Sequence, residues 1–234
     1  QPAEAKKVYD AILGLKPEEK DAYFLRGSAE LELGDYESAK ADFDKAISMD
    51  PKNYDRLIEI YEALADYGYR EVGQEYLQNV LNTDKKLDAY DSGRIYYYLG
   101  DYQKAYLALE EAKGKGGVDS YLYLGKAYAA TGDYNYASSV YSNYLSKQGP
   151  DAEIYNQLGL CEMAKKDYQK ALEAFQAGKQ IEGNSLMQTL SFNEIVAYEY
   201  LQDYQKAAVL LKAYLQNYPD DQEAIREQQF LSTR

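Results

Sequence analysis

Apolar positions along this chain recur at helical spacing, in runs of roughly 12 to 14 residues separated by short polar turns. The turns repeat as well. Gly34-Asp35-Tyr36 is followed by Ala39, and the same spacing returns at Gly100-Asp101-Tyr102 with Ala105 and at Gly132-Asp133-Tyr134 with Ala137. Degenerate copies stand at Lys166-Asp167-Tyr168 with Ala171 and at Gln202-Asp203-Tyr204 with Ala207. A weaker copy at Gly68 puts Gly73 in the alanine position, and Ala5 marks another near the start. Successive alanine positions lie 34, 34, 32, 32, 34 and 36 residues apart. A period of that size marks a repeat architecture.

Each unit predicts two amphipathic helices joined at the turn. Glycine there supplies the backbone freedom that ends one helix, and aspartate caps the next. Upstream of the turn stands a small residue, at Gly27, Gly93, Gly125 and Gly159. Four residues after the alanine comes a large one: Tyr9, Phe43, Leu77, Leu109, Tyr141, Phe175 and Leu211. Gly125 and Ala137 are expected to let two helices approach closely, with Tyr134 and its equivalents wedged against the next unit. Helix pairs with an apolar face to spare must stack. The predicted organisation is a partial repeat at 1–19, repeats at 20–53, 54–85, 86–117, 118–151, 152–187 and 188–221, and a capping helix within 222–234. No linker is long enough to mark a domain boundary, so a single solenoid over 1–234 is expected. Repeats 54–85 and 86–117 are two residues short, the latter closing on Gly114-Lys115-Gly116-Gly117. Repeat 152–187 is two residues long, through Glu182-Gly183-Asn184-Ser185. These length changes predict an irregular groove.

The most regular unit reads Tyr121, Leu124-Gly125, Tyr128, then Ala137 and Tyr141, and other copies add Pro17, Pro51 and Pro219. These residues resemble the tetratricopeptide repeat, and the resemblance extends over nearly the whole chain. It implies an all-α fold, a right-handed α-solenoid superhelix of stacked antiparallel helix pairs. It also implies a non-catalytic scaffold that binds a peptide or partner segment in the groove lined by the first helix of each repeat. The family register places Asp21, Phe24, Asp55, Ile58, Glu59, Glu62 and Asp66 on that face, followed by Tyr90, Asp91, Arg94, Tyr97 and Tyr98. Farther along it places Tyr123, Lys126, Glu153, Asn156, Asn193 and Tyr200. Arg94 and Lys126 occupy equivalent positions of adjacent repeats amid tyrosines, which suits a peptide with apolar side chains and a carboxylate. The candidate partner-binding residues are Tyr90, Arg94, Tyr97, Tyr98, Tyr123, Lys126, Asn156 and Asn193. The carboxylate-clamp subclass needs lysine and asparagine at the fifth and ninth positions of one repeat. The residues there are Phe24/Ser28, Ile58/Glu62, Tyr90/Arg94, Leu122/Lys126, Asn156/Leu160 and Phe192/Val196, and none match.

Composition narrows the chemistry further. Of 28 tyrosines, sixteen fall on framework positions, Tyr61, Tyr96, Tyr128, Tyr141 and Tyr214 among them, which assigns most of the excess to the core. A net charge of -13 disfavours nucleic acid and anionic lipid as partners. With no histidine and the single Cys161, the chain has no His-based nucleophile–base pair and no common zinc set. Cys161 is expected to be a small buried packing residue. Carboxylate pairs such as Glu110-Glu111 and Asp220-Asp221 are expected on solvated faces. The expectation is therefore no catalysis, no metal and no cofactor. The alternative is an assembly subunit of a larger cell-envelope complex, with homodimerisation through the N-terminal end. The chain opens at Gln1 without methionine, so an upstream segment is expected to have been removed. That start fits an extracytoplasmic bacterial protein, secreted or lipid-anchored, with a cytoplasmic setting as the alternative.

Overall fold

The computed structural model describes residues 1–113 and 115–233. Among them are fourteen α-helices and no strand. The chain divides into two compact units, Gln1–Asp101 and Tyr102–Arg234. The first holds α1 (Pro2–Leu15), α2 (Lys20–Glu32), α3 (Tyr36–Met49), α4 (Tyr54–Asp66), α5 (Arg70–Thr83) and α6 (Ala89–Tyr98). The second holds α7 (Tyr102–Ala112), α8 (Gly117–Ala130), α9 (Tyr134–Lys147), α10 (Ala152–Ala164), α11 (Tyr168–Lys179), α12 (Met187–Tyr200), α13 (Tyr204–Asn217) and α14 (Gln222–Leu231). Within each unit, helices adjacent in sequence pack on one another, and α2 also meets α4, α4 meets α6, and α8 meets α10. This is the all-α architecture of a helical-repeat solenoid.

The turn inside each repeat has one construction. At Gly34 the backbone enters the left-handed region with φ +80°, and its N–H donates to the Leu31 carbonyl while Asp35 N–H donates to Glu30. This pair of bonds is a Schellman motif, which satisfies the carbonyls left over at a helix end. Asp35 then serves the next helix, its carboxylate accepting from Ser38 N–H at 3.2 Å. The same closure recurs at Gly68, Gly100, Gly132, Lys166 and Gln202, all at positive φ. The capping aspartate recurs at Asp133, Asp167 and Asp203. The shortening of repeat 86–117 removes the start of its first helix: α6 begins at Ala89, past the position where the register of α2 and α4 would open it. Gly114 lies outside the described residues; Gly117 opens α8 at φ +62°. The extra residues before α12 are stitched down by Asn184, whose amide donates to Ile181 and accepts from Leu186 N–H.

The core is a string of small clusters, each formed by a helix pair and a neighbouring first helix. Leu31, Ala39, Phe43, Ile60 and Leu64 make one, and Ala171, Leu172, Phe175, Leu190 and Ala197 make another. Glycines set the helix separation. A Cβ on Gly125 would lie 2.3 Å from Cζ of Tyr141, and one on Gly159 would lie 2.3 Å from Cε1 of Phe175. Both large rings are fully buried, and each contributes on the order of 2–3 kcal/mol. Repeat 54–85 reverses the sizes. Tyr61 stands where other units have the small residue, and Gly73 replaces the alanine opposite it, where a Cβ would meet Tyr61 Cδ2 at 2.9 Å.

The tyrosines depart from expectation. Of the sixteen framework tyrosines only Tyr61, Tyr141 and Tyr214 are buried in the core; the others are half-buried along seams between helices. Tyr36 stacks on Tyr69 at 4.0 Å and Tyr168 on Tyr200 at 4.9 Å, each pair linking one repeat to the next. A phenol is better placed at a seam because its hydroxyl must reach a polar partner.

Candidate functional site

The outward positions of the first helices carry polar side chains that pair from one repeat to the next. In the first unit, Arg56 on α4 donates to Asp21 on α2 at 2.9 Å, with its guanidinium 4.0 Å from the Phe24 ring centre. Arg56 also pairs with Glu59 at 2.8 Å. Arg94 on α6 donates to Asp55 on α4 at 2.5 Å, and Tyr98 donates to Glu62 at 2.6 Å. In the second unit, Lys126 on α8 pairs with Glu153 on α10 at 3.5 Å, and Asn193 on α12 donates to Asn156 on α10 at 2.9 Å.

Arg94 and Lys126 therefore occupy different environments despite equivalent register. Arg94 is 6% exposed, with Asp91 at 3.6 Å and the Tyr90 ring centre at 4.9 Å. The group that meets solvent there is Asp55, whose side chain is 77% exposed. Burial, followed by the charge of Asp88, raises the Asp91 carboxyl against the opposing pull of Arg94. Lys126 keeps about a third of its side chain exposed. Tyr97 and Tyr98 meet edge-on at 5.4 Å, and Tyr98 is also edge-on to Tyr61 at 5.3 Å. Tyr123 is half-buried on α8, and Asn156 is buried. Ile58, placed on the groove by the register, is buried in the core cluster around Leu57 and Tyr61.

Sequence reasoning found the residues of this row but not their pairing. Asp55 and Glu153 were legible as outward positions; that each holds a cation of a neighbouring repeat depends on helix separation, which register does not supply. Cys161 is buried beside Ala137, Tyr141 and Ile154. Burial, with a smaller push from Glu162, raises its thiol to about 11, so it stays protonated at neutral pH. Among the described residues no group of three or more Cys, Asp or Glu side chains is arranged to hold a metal. No described helix is long and apolar enough to cross a membrane.

The repeated Schellman turn, the small-against-large helix contact and the stacking of units define a helical-repeat protein of the tetratricopeptide type. Sequence profiles described as "Tetratricopeptide repeat" match residues 20–53, 122–185 and 192–221, together more than half of the chain. The chain belongs to the tetratricopeptide repeat family. Such proteins are generally non-catalytic scaffolds that bind proteins or peptides. No curated protein matches the sequence. Among solved structures, the fold is similar to that of yeast Tom70 at TM-score 0.64 and 17% identity, over 92% of this chain and 48% of that one. It is similar to the APC/C hetero-tetramer Cut9-Hcn1 at TM-score 0.59 and 18% identity, over 99% of this chain and 46% of that one. A third likeness is to YrrB, described as a tetratricopeptide repeat protein with an unusual peptide-binding site. Its TM-score is 0.52 at 18% identity, over 96% and 100% of the two chains. The chain thus spans about half the length of the Tom70 and Cut9-Hcn1 chains.

Proposed function

We propose that this protein is a non-catalytic scaffold that binds an extended peptide or partner segment along the first helices of its repeats. The candidate contacts are Tyr90, Tyr97 and Tyr98 beside Arg94 in one unit and Tyr123, Lys126, Asn156 and Asn193 in the other. The observation that carries the reading is the row of inter-repeat pairs. Arg94–Asp55, Tyr98–Glu62, Lys126–Glu153 and Asn193–Asn156 hold donors and acceptors in place before any ligand arrives. A surface ordered in advance loses less entropy on binding. Asparagine and tyrosine side chains also supply both donors and acceptors, as a peptide backbone requires. The peptide-binding site described for YrrB is consistent with this use of the fold.

Peptides selected from a displayed random library against the protein would test it. Their NMR shift perturbations should fall on Tyr97, Lys126 and Asn193, and Lys126→Glu with Asn193→Ala should weaken them about tenfold. Unchanged binding, or perturbations confined to the second helices of the repeats, would refute the assignment. Arg94 is left intact, because reversing its charge would add a carboxylate beside Asp55 and Asp91 and read out folding instead. One observation favours assembly as a second reading: α1 exposes Val8 at 56% and Leu15 at 84%. Light scattering that rises with concentration and is abolished by Val8→Asp would support it.

A further inference from the structure

A cavity of about 500 Å3 opens between the last turn and the last helix of the second unit. It is lined by Glu199 and Tyr200 at the end of α12, Tyr204 at the start of α13, and Glu227 and Phe230 on α14. Two carboxylates thus share a space walled by three aromatic rings. Oε1 of Glu199 is buried with no hydrogen-bond partner among the described residues. Burial, followed by the negative charge of Glu227, pushes the Glu199 carboxyl up to about 7.

The other buried carboxylates of this chain are each met by a cation. Glu30 is held by Lys6 at 3.0 Å, Asp42 by Arg26 at 2.6 Å, Glu162 by Lys165 at 2.6 Å and Glu194 by Lys179 at 2.6 Å. At Glu199 the charge alongside is a second carboxylate. A buried acceptor without a donor is unfavourable, and a like charge beside it adds to the strain. A cation entering the cavity would relieve both. The walls select its class. Aromatic faces attract organic ammonium groups, whereas calcium takes six to eight oxygen ligands and two carboxylates supply too few. Tyr200 and Phe230 are 57% and 41% exposed, so their rings stand at the cavity mouth.

We infer that this cavity binds an alkylammonium group, the ε-ammonium of a lysine side chain projecting from a partner protein. The lysine stem lies against Tyr200, Tyr204 and Phe230, and the ammonium donates to Glu199 and Glu227. This site is separate from the row of inter-repeat pairs and does not rest on it.

The test is an NMR titration of the full chain with N-acetyl-lysine methylamide, at constant ionic strength and at a pH above the Glu199 midpoint of about 7. The uncharged isostere N-acetyl-norleucine methylamide serves as the comparison. Saturable shifts confined to α12, α13 and α14 are expected for the lysine compound and not for the norleucine compound. Glu199→Gln with Glu227→Gln should weaken binding about tenfold, while relieved repulsion keeps the fold intact. Tyr200→Leu, at an exposed ring, should weaken it about threefold and reads the aromatic wall independently of the carboxylates. Lys126→Glu should leave the titration unchanged. Equal binding of the norleucine compound, wild-type affinity in the double variant, or shifts elsewhere would each overturn the assignment.

Discussion

At the scale of single residues, the abundance of tyrosine has a physical reason in the acidity of the chain. Tyr76 donates to Asp44 and Tyr214 to Asp221, both at 2.5 Å, and Tyr54 donates to Asp84. In each case the ring packs at a seam while the hydroxyl anchors a carboxylate, which phenylalanine could not do. Burial, followed by the carboxylate, pushes the Tyr54 and Tyr214 phenols up to about 12. In return, the Tyr214 hydroxyl is the main influence holding Asp221 below its ordinary range. The glycines facing the large rings have no such latitude. Gly159→Ala would force a methyl into the Phe175 ring, and overpacking of this kind costs about 1–3 kcal/mol. A urea titration should show a lower midpoint with unchanged slope; an unshifted midpoint would mean that the ring can move aside.

At the scale of the element, the turn is the conserved construction and its residue type is not. Lys166 and Gln202 adopt φ +63°, the conformation that glycine holds at the other four turns. Left-handed backbone costs a non-glycine residue about 1–2 kcal/mol. Glycine gives back part of that through its greater freedom in the unfolded chain, about 0.5–1 kcal/mol. Lys166→Gly should therefore stabilise the protein by about 0.5–1 kcal/mol. Chemical denaturation would detect the gain, and a loss would show that the Lys166 side chain contributes contacts that outweigh the backbone strain. The hydrogen bonds of the turn are the same with either residue, because they run through backbone N–H groups of the two positions closing the helix.

At the scale of the whole molecule, the carboxylates act on stability in opposite directions. Asp10 and Asp221 titrate below their ordinary value of 3.8, held mainly by Arg26 and by Tyr214. Their contribution is present above that value and is lost as pH falls. Glu199 is raised from 4.5 to about 7, so its contribution is fully present below about 4.5 and is lost as pH rises through about 7. Thermal midpoints measured across this range should decline toward neutral pH in the wild type. In Glu199→Gln, which carries a permanent neutral amide, that decline should be reduced. Parallel profiles for the two proteins would show that Glu199 does not titrate as described.

The period of the chain, its helical class and the position of every intra-repeat turn were legible in the amino-acid sequence. They follow from local rules: 3.6-residue periodicity, the need to end a helix with a left-handed residue, and the capping chemistry of aspartate. The small-against-large contact at Gly125 and Tyr141 was legible too, because its two halves recur at fixed spacing. What the sequence left open depends on distances between helices. Tyr61 and Gly73 each look like a departure from the pattern, and only side by side are they one exchange of sizes. Arg94 and Lys126 share a register position, yet one is buried against Asp55 and the other half-open beside Glu153. Glu199 and Glu227 sit in separate helices with nothing in their spacing to join them, and the packing of α12, α13 and α14 brings them to one cavity. A repeat register gives the direction in which a side chain points along its own helix. The partner it meets is set by how the next helix packs, and that is a property of the tertiary structure.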